Sequence, residues 1–191
     1  MDSNWQKLRS ETLQCTRCGL SQTRNHVIFG EGNPNAGVFI IGEAPGRDED
    51  LKGRPFVGKS GQLLDKILDA CGFNREDHVF ISNIVKCRPP NNRVPSPQES
   101  ETCIPWLFRQ IDLVNPAIIV LLGATAFKTL AGQQHRISRE HGQWLTVQSR
   151  LAMPVYHPSA LLRNPGLKRE TWEDFKNIVF KYRELVKQEH N

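Results

Sequence analysis

The chain has 191 residues, 38% of them hydrophobic, which is enough for one domain core and leaves little room for a second. Lysine and arginine outnumber aspartate and glutamate by 25 to 20, for a formal charge of +5; that excess suits an anionic partner without establishing one, so a nucleic-acid role must be argued from a site. Residues 1–10 carry Asp2, Lys7 and Arg9 and lack the apolar stretch of a secretory signal, and the longest apolar run, 117–122, is too short to cross a bilayer. The expectation is one domain over 1–191, cytoplasmic and monomeric, with no membrane segment.

In chain order, Gly37-Val-Phe-Ile-Ile-Gly42 reads as a buried strand. Residues 61–71 read as an amphipathic helix, with Leu63, Leu64, Ile67 and Leu68 on one face. A second strand is expected over 78–85. Ser96-Pro97-Gln98-Glu99 then offers an N-cap serine, a proline in the first turn and a capping-box glutamate, opening a helix that runs to about Val114 with a kink or break at Pro105. The run 117–123 is the clearest buried strand, followed by a helix over 125–131. A loop and hairpin-like excursion over 137–149 leads to a short strand ending near Tyr156, and 171–188 forms a terminal amphipathic helix. Alternating strands and helices imply an α/β fold with a mostly parallel sheet covered on both faces, whose ligands bind beyond the carboxyl ends of the strands.

Three segments fall at those ends: Gly42-Glu-Ala-Pro-Gly46, the region of Asn83, and His157-Pro158-Ser159. Each alone has an ordinary explanation in a turn, a backbone partner or a structural histidine; their convergence carries the information. The cysteines add a second signal. Cys15 and Cys18 form a Cys-x-x-Cys pair, Cys87 and Cys103 stand far downstream, and Cys71 lies on an apolar helical face as an inert core residue. Without an export signal, metal ligation explains paired cysteines better than disulfides do. Spacing does not choose between an iron-sulfur cluster and tetrahedral zinc.

Taken together, Gly42-Glu-Ala-Pro-Gly46, Gly53-Arg-Pro-Phe-Val-Gly-Lys-Ser-Gly61, Asn83-Ile-Val-Lys-Cys-Arg-Pro-Pro90 and His157-Pro-Ser-Ala-Leu-Leu-Arg163 resemble the family 4 uracil-DNA glycosylases over nearly the whole chain. The resemblance implies a three-layer α/β/α fold, uracil-containing DNA as partner, and a 4Fe-4S cluster on Cys15, Cys18, Cys87 and Cys103, with zinc as the alternative. It also implies that a flipped uracil sits beside Gly42, stacks on Phe56 and is read by Asn83, whose amide offers one donor and one acceptor. By the same likeness His157 hydrogen-bonds the uracil carbonyl as negative charge develops, and it need not be cationic to do so. Glu43, by the same likeness, orients water and favours the cationic sugar, with an acid-base role from behind the site as the alternative.

Glu49 resembles a residue that crowds the uracil C5 edge and excludes thymine's methyl group, while Asp48 and Asp50 read as a solvated acidic turn. Lys59, Ser159 and Arg163 are candidate phosphate contacts. Leu161 and Leu162 suit either an intercalating wedge or core packing. One departure is Glu140-His-Gly142, where relatives commonly carry an arginine before the glycine; a histidine in this region becomes covalently attached to the excised site in some members of the wider superfamily. The first motif matches the hydrolytic enzymes, so simple turnover is expected. A non-catalytic iron-sulfur damage sensor and a covalent uracil-site trap stand as alternatives.

Overall fold

In a computed structural model, the structure is described for residues 3–189, with the side chains of 187–189 left aside. Helix α1 (Ser3–Leu13) precedes a short strand, β1 (Glu31–Gly32), and the buried strand β2 (Val38–Gly42). Then come α2 (Arg47–Lys52), α3 (Lys59–Ala70), β3 (Val79–Asn83), α4 (Pro97–Val114), β4 (Ile118–Leu122) and α5 (Gly123–Ala131). The chain ends through α6 (Ile137–Glu140), β5 (Leu145–Val147), β6 (Arg150–Val155), α7 (Pro158–Arg163) and α8 (Lys168–Glu189).

The strand order is β1-β3-β2-β4-β6-β5. Its four central strands are parallel, and the short edge strands β1 and β5 run antiparallel to their neighbours. Strands β2, β3 and β4 are buried at every position, as their apolar sequences require when helices cover both faces. On one face Phe39, Ile41, Ile119 and Leu121 pack with Trp5 and Leu8 of α1 and Trp106, Leu107 and Ile111 of α4. On the other, Ile40, Ile81, Val120 and Met153 pack with Leu64 and Leu68 of α3 and Phe175 and Ile178 of α8. This is the expected three-layer arrangement.

Helix α4 starts as its sequence dictates: the Glu99 amide donates to the Ser96 hydroxyl oxygen at 3.1 Å, and the Ser96 amide donates to the Glu99 carboxylate at 2.8 Å. The expected break at Pro105 does not occur, and α4 is one helix through it. Pro105 and Glu101 are both exposed, so the carbonyl that the proline leaves without a donor can be hydrated, and packing through Trp106 and Leu107 carries the helix on. Two further expectations need correcting. Asp48 is exposed, but on helix α2 rather than in a turn. Asp50, on the inner face of the same helix, is 1% exposed; its carboxylate accepts from the Asn25 amide at 2.9 Å, the Asn25 side chain at 2.6 Å and the His26 amide at 3.2 Å. It pins the 24–26 segment to α2.

Candidate active site

The carboxyl ends of β2, β3, β4 and β6 open onto a cleft of about 780 Å³ whose lining includes Glu43, Glu49, Phe56, Lys59, Asn83, Thr125, Tyr156, His157, Ser159 and Arg163. The three motifs that end strands therefore meet where a parallel sheet is expected to bind a ligand. Gly42 lies beneath them and is buried. A Cβ there would overlap the Asn83 side-chain oxygen and stand 2.6 Å from Phe56 Cζ, so only glycine lets the Asn83 side chain and the Phe56 ring come together.

Asn83 is 1% exposed. Its Oδ1 is buried and accepts no hydrogen bond, one of two such side-chain atoms among the described residues. An orphaned buried acceptor costs free energy in the unbound protein and is satisfied if a donor enters the cleft. The backbone behind it is fixed by Lys86, whose Nζ donates to the Asn83 carbonyl at 2.8 Å, Gln110 Oε1 at 2.7 Å and Ser82 Oγ at 2.6 Å. Burial lowers the Lys86 ammonium to about 7, opposed by the nearby Cys103 and Cys87. With three acceptors around its one nitrogen, Lys86 serves the scaffold and is no free nucleophile.

Phe56 is 6% exposed and holds a left-handed backbone, φ 51°. That strain is held by Arg75, which donates to the Pro55 carbonyl at 2.9 Å and the Phe56 carbonyl at 2.6 Å. The ring faces His157 with centroids 5.7 Å apart and an interplanar angle of 36°.

His157 caps α7. Its Nδ1 accepts from the Ser159 amide at 3.1 Å and lies 2.8 Å from the Ser159 hydroxyl. Since a backbone N–H can only donate, Nδ1 is the acceptor and the ring proton sits on Nε2. Burial holds the imidazole down at about 4, helped by the charge of Arg163 and opposed by Glu49. The site thus offers a neutral N–H donor at ordinary pH. Ser159, expected at a phosphate, is here committed to this tautomer.

The Glu49 carboxylate receives three backbone amides: Val57 and Gly58 at 2.9 Å on one oxygen and Gly46 at 3.1 Å on the other. It clasps the Gly46 turn to the loop that carries Phe56. Glu43 follows β2 and accepts a hydrogen bond from the Thr125 hydroxyl. Lys59 and Arg163 stand exposed on the rim, joined by Arg47. Leu161 is 1% exposed and belongs to the core, whereas Leu162, at 46%, is free to act outside it. His141 is not part of the cleft lining; its ring nitrogens face Asp174 at 2.8 Å and Glu170 at 3.4 Å on α8.

Cys15, Cys18, Cys87 and Cys103 all line one small cavity, which Lys86 also borders. None forms a disulfide. Arg24 donates to the Cys87 sulfur at 3.1 Å, the Trp106 indole to Cys15 at 3.3 Å and the Lys86 amide to Cys103 at 3.3 Å. Burial raises the Cys87 thiol to about 11 despite Arg24, and raises Cys103 as well. Such thiols ionise when a metal binds them, and N–H donors then stabilise the thiolate charge. Cys71 is buried in the other core, its thiol also raised by burial.

Thr125, Lys86 and Arg75 escaped the sequence reading. Lys86 alone left a trace, as a cation inside the otherwise apolar run before Cys87.

The family model of the uracil DNA glycosylase superfamily matches residues 29–176. The chain is similar to a type-4 uracil-DNA glycosylase of Sulfurisphaera tokodaii, 43% identical over 187 residues, covering 93% of this chain and 84% of that protein. It is also similar to type-4 enzymes of Archaeoglobus fulgidus, 43% identical over 88% of each chain, and of Thermotoga maritima, 44% identical over 85% of this chain and 86% of that one.

Proposed function

The chain belongs to the uracil DNA glycosylase superfamily and, within it, to the type-4 uracil-DNA glycosylases, and from that premise we propose that it hydrolyses the N-glycosidic bond of uracil in DNA, releasing free uracil and leaving an abasic site for base excision repair. The observation that carries the reading is the unpartnered Asn83 Oδ1 in a cleft shared with Phe56 and His157. Uracil presents an N–H between two carbonyls. Asn83 Oδ1 accepts from that N–H while its amide donates to one carbonyl, and cytosine would place a donor against a donor. Phe56 stacks on the flipped base and offsets part of its unstacking.

As the glycosidic bond lengthens, negative charge moves onto uracil and positive charge onto the sugar. The His157 Nε2–H donates to the charged carbonyl as a neutral group, and the Glu43 carboxylate favours the cationic sugar and orients the attacking water. Glu49 shapes the pocket wall beside the C5 edge through the loops it joins. Lys59 and Arg163 receive phosphates, and Leu162 fills the stack left by the flipped nucleotide.

Cys15, Cys18, Cys87 and Cys103 hold a 4Fe-4S cluster in this reading. Support comes from four thiols around one cavity with N–H donors on three sulfurs. The likeness to the type-4 enzymes favours a cluster over zinc. The cluster supplies a cross-link between the N-terminal segment, the loop after β3 and α4; hydrolysis needs no electron from it.

The test is a uracil-containing oligonucleotide incubated with iron-loaded protein. The expected products are free uracil and a strand that breaks only on alkaline treatment. No uracil release would leave a damage-binding protein, and a protein-DNA adduct surviving a denaturing gel would point to a covalent trap.

A further inference from the structure

The β4–α5 junction contributes to the cleft although no motif singled it out. Strand β4 passes directly into α5 at Gly123, whose φ is +88° and whose Cβ, if it had one, would lie 2.9 Å from His157 Cβ. A side chain at this position would be strained by its backbone and crowd the imidazole. The close turn places Thr125 in the first turn of α5, half-buried and facing the segment that leaves β2. The Thr125 hydroxyl donates to Glu43 Oε2. Glu43 Oε1 accepts no hydrogen bond among the described residues, and Glu43 lines the cleft.

We propose that Thr125 is a positioning residue for hydrolysis, holding the Glu43 carboxylate by one oxygen so that the other faces the water and the cationic sugar; this rests on the role given to Glu43 above. A glutamate side chain has several rotamers, and an ionised carboxylate on a cleft wall is free to turn toward solvent. A β-branched threonine at a helix start has few. Its hydrogen bond transfers that rigidity to Glu43, and the first turn of α5 adds a favourable dipole at the same carboxylate. Thr125 supplies no proton to the reaction. Its contribution is the fraction of time Glu43 spends in the productive orientation, which acts on the chemical step and not on base recognition.

The test compares Thr125→Val, which replaces the hydroxyl by a methyl of similar size, with Thr125→Ser, which keeps it, using single-turnover excision from a uracil-containing oligonucleotide. Thr125→Val is expected to slow the step about tenfold at saturating enzyme with an unchanged half-saturation concentration. Thr125→Ser is expected to stay within about threefold of the parental rate. In a Glu43→Ala background, Thr125→Val should cost nothing further, because the pair acts as one unit. Thermal melting and iron content of each variant separate a folding defect from a lost hydrogen bond, and Thr125→Ala replaces Thr125→Val if the latter does not fold.

A parental rate in the hydroxyl-free variant would overturn the proposal. So would a loss of equal size in the Glu43→Ala background, a Thr125→Ser variant as slow as Thr125→Val, or a loss confined to half-saturation. A parental rate in Glu43→Ala alone would remove the role of Glu43 itself, a distinct failure that takes the positioning role with it.

Discussion

Replacing Asn83 by aspartate changes one atom of a side chain that is 1% exposed, yet it removes the donor that meets a uracil carbonyl. The oxygen that replaces the amide nitrogen then faces an acceptor. Leaving one buried polar group unpaired costs about 1–3 kcal/mol, and an ionised carboxylate against a carbonyl in a pocket with little water raises the cost toward the upper end. Taking about 3 kcal/mol, the excision rate should fall by roughly two orders of magnitude. The assay is single-turnover release of uracil at saturating enzyme, run beside the same oligonucleotide carrying cytosine. Uracil excision should drop by about a hundredfold, and discrimination against cytosine should narrow, because an acceptor pair now meets cytosine's amino group. A carboxylate at a position 1% exposed should also lower the melting temperature, so the rates are compared at a temperature where both proteins are folded. Parental uracil excision by Asn83→Asp would refute the assignment of Asn83 as the reader of the base.

Three further outcomes follow from the same geometry. Cys87→Ala should lose iron and melting temperature together, with activity falling as the loop after β3 disorders; a variant with parental melting and no catalysis would instead place the metal in the chemistry. His157 is held at about 4 in the folded protein against an ordinary value of about 6.5, so the unfolded chain binds the proton first as pH falls. Its contribution is therefore fully present above about pH 6.5 and is lost progressively toward pH 4, by at most about 3 kcal/mol. Denaturation at pH 7 and pH 4.5 should show this loss in the parental protein and not in His157→Gln; equal losses in both would contradict the neutral, buried imidazole. Glu49→Ala strips the acceptor from the amides of Gly46, Val57 and Gly58. It should cost about 2 kcal/mol of stability and slow excision as the Phe56 loop loosens, and unchanged melting would contradict the clasp.

Strands β2 and β4 were legible because a strand covered on both faces is a near-continuous apolar run, and the start of α4 because a capping box has a local signature. Helix α1 was not. Only Trp5, Leu8 and Thr12 of its eleven residues are buried, a stripe too thin to stand out in a polar sequence. Pro105 does not break α4, because the carbonyl it leaves without a donor belongs to an exposed turn and packing on the other face carries the helix on. Asp50 was not legible either: an acidic run looks solvated until distant amides, at Asn25 and His26, converge on one of its members.

Within the site, Glu43, Asn83 and His157 could be placed because their segments resemble a known family and end strands of a parallel sheet, and Phe56 by the resemblance alone. What the sequence could not disclose was the pairing between segments. Thr125 stands 82 positions from Glu43, and Arg75 is 19 from the Phe56 carbonyl it holds. Neither residue type is unusual where it stands. Ser159 shows the same limit from the other side: a serine beside a histidine suits a phosphate contact, and nothing local in the sequence marks that its amide and hydroxyl both address the ring.

The central claim is that this cleft turns over uracil in DNA by hydrolysis, and it is tested most directly by counting free uracil released per iron-loaded protein with substrate in large excess. Many uracils per protein are expected, with release suppressed in Glu43→Ala. Release that stops at one per protein, or no release from protein with a full complement of iron, would contradict it.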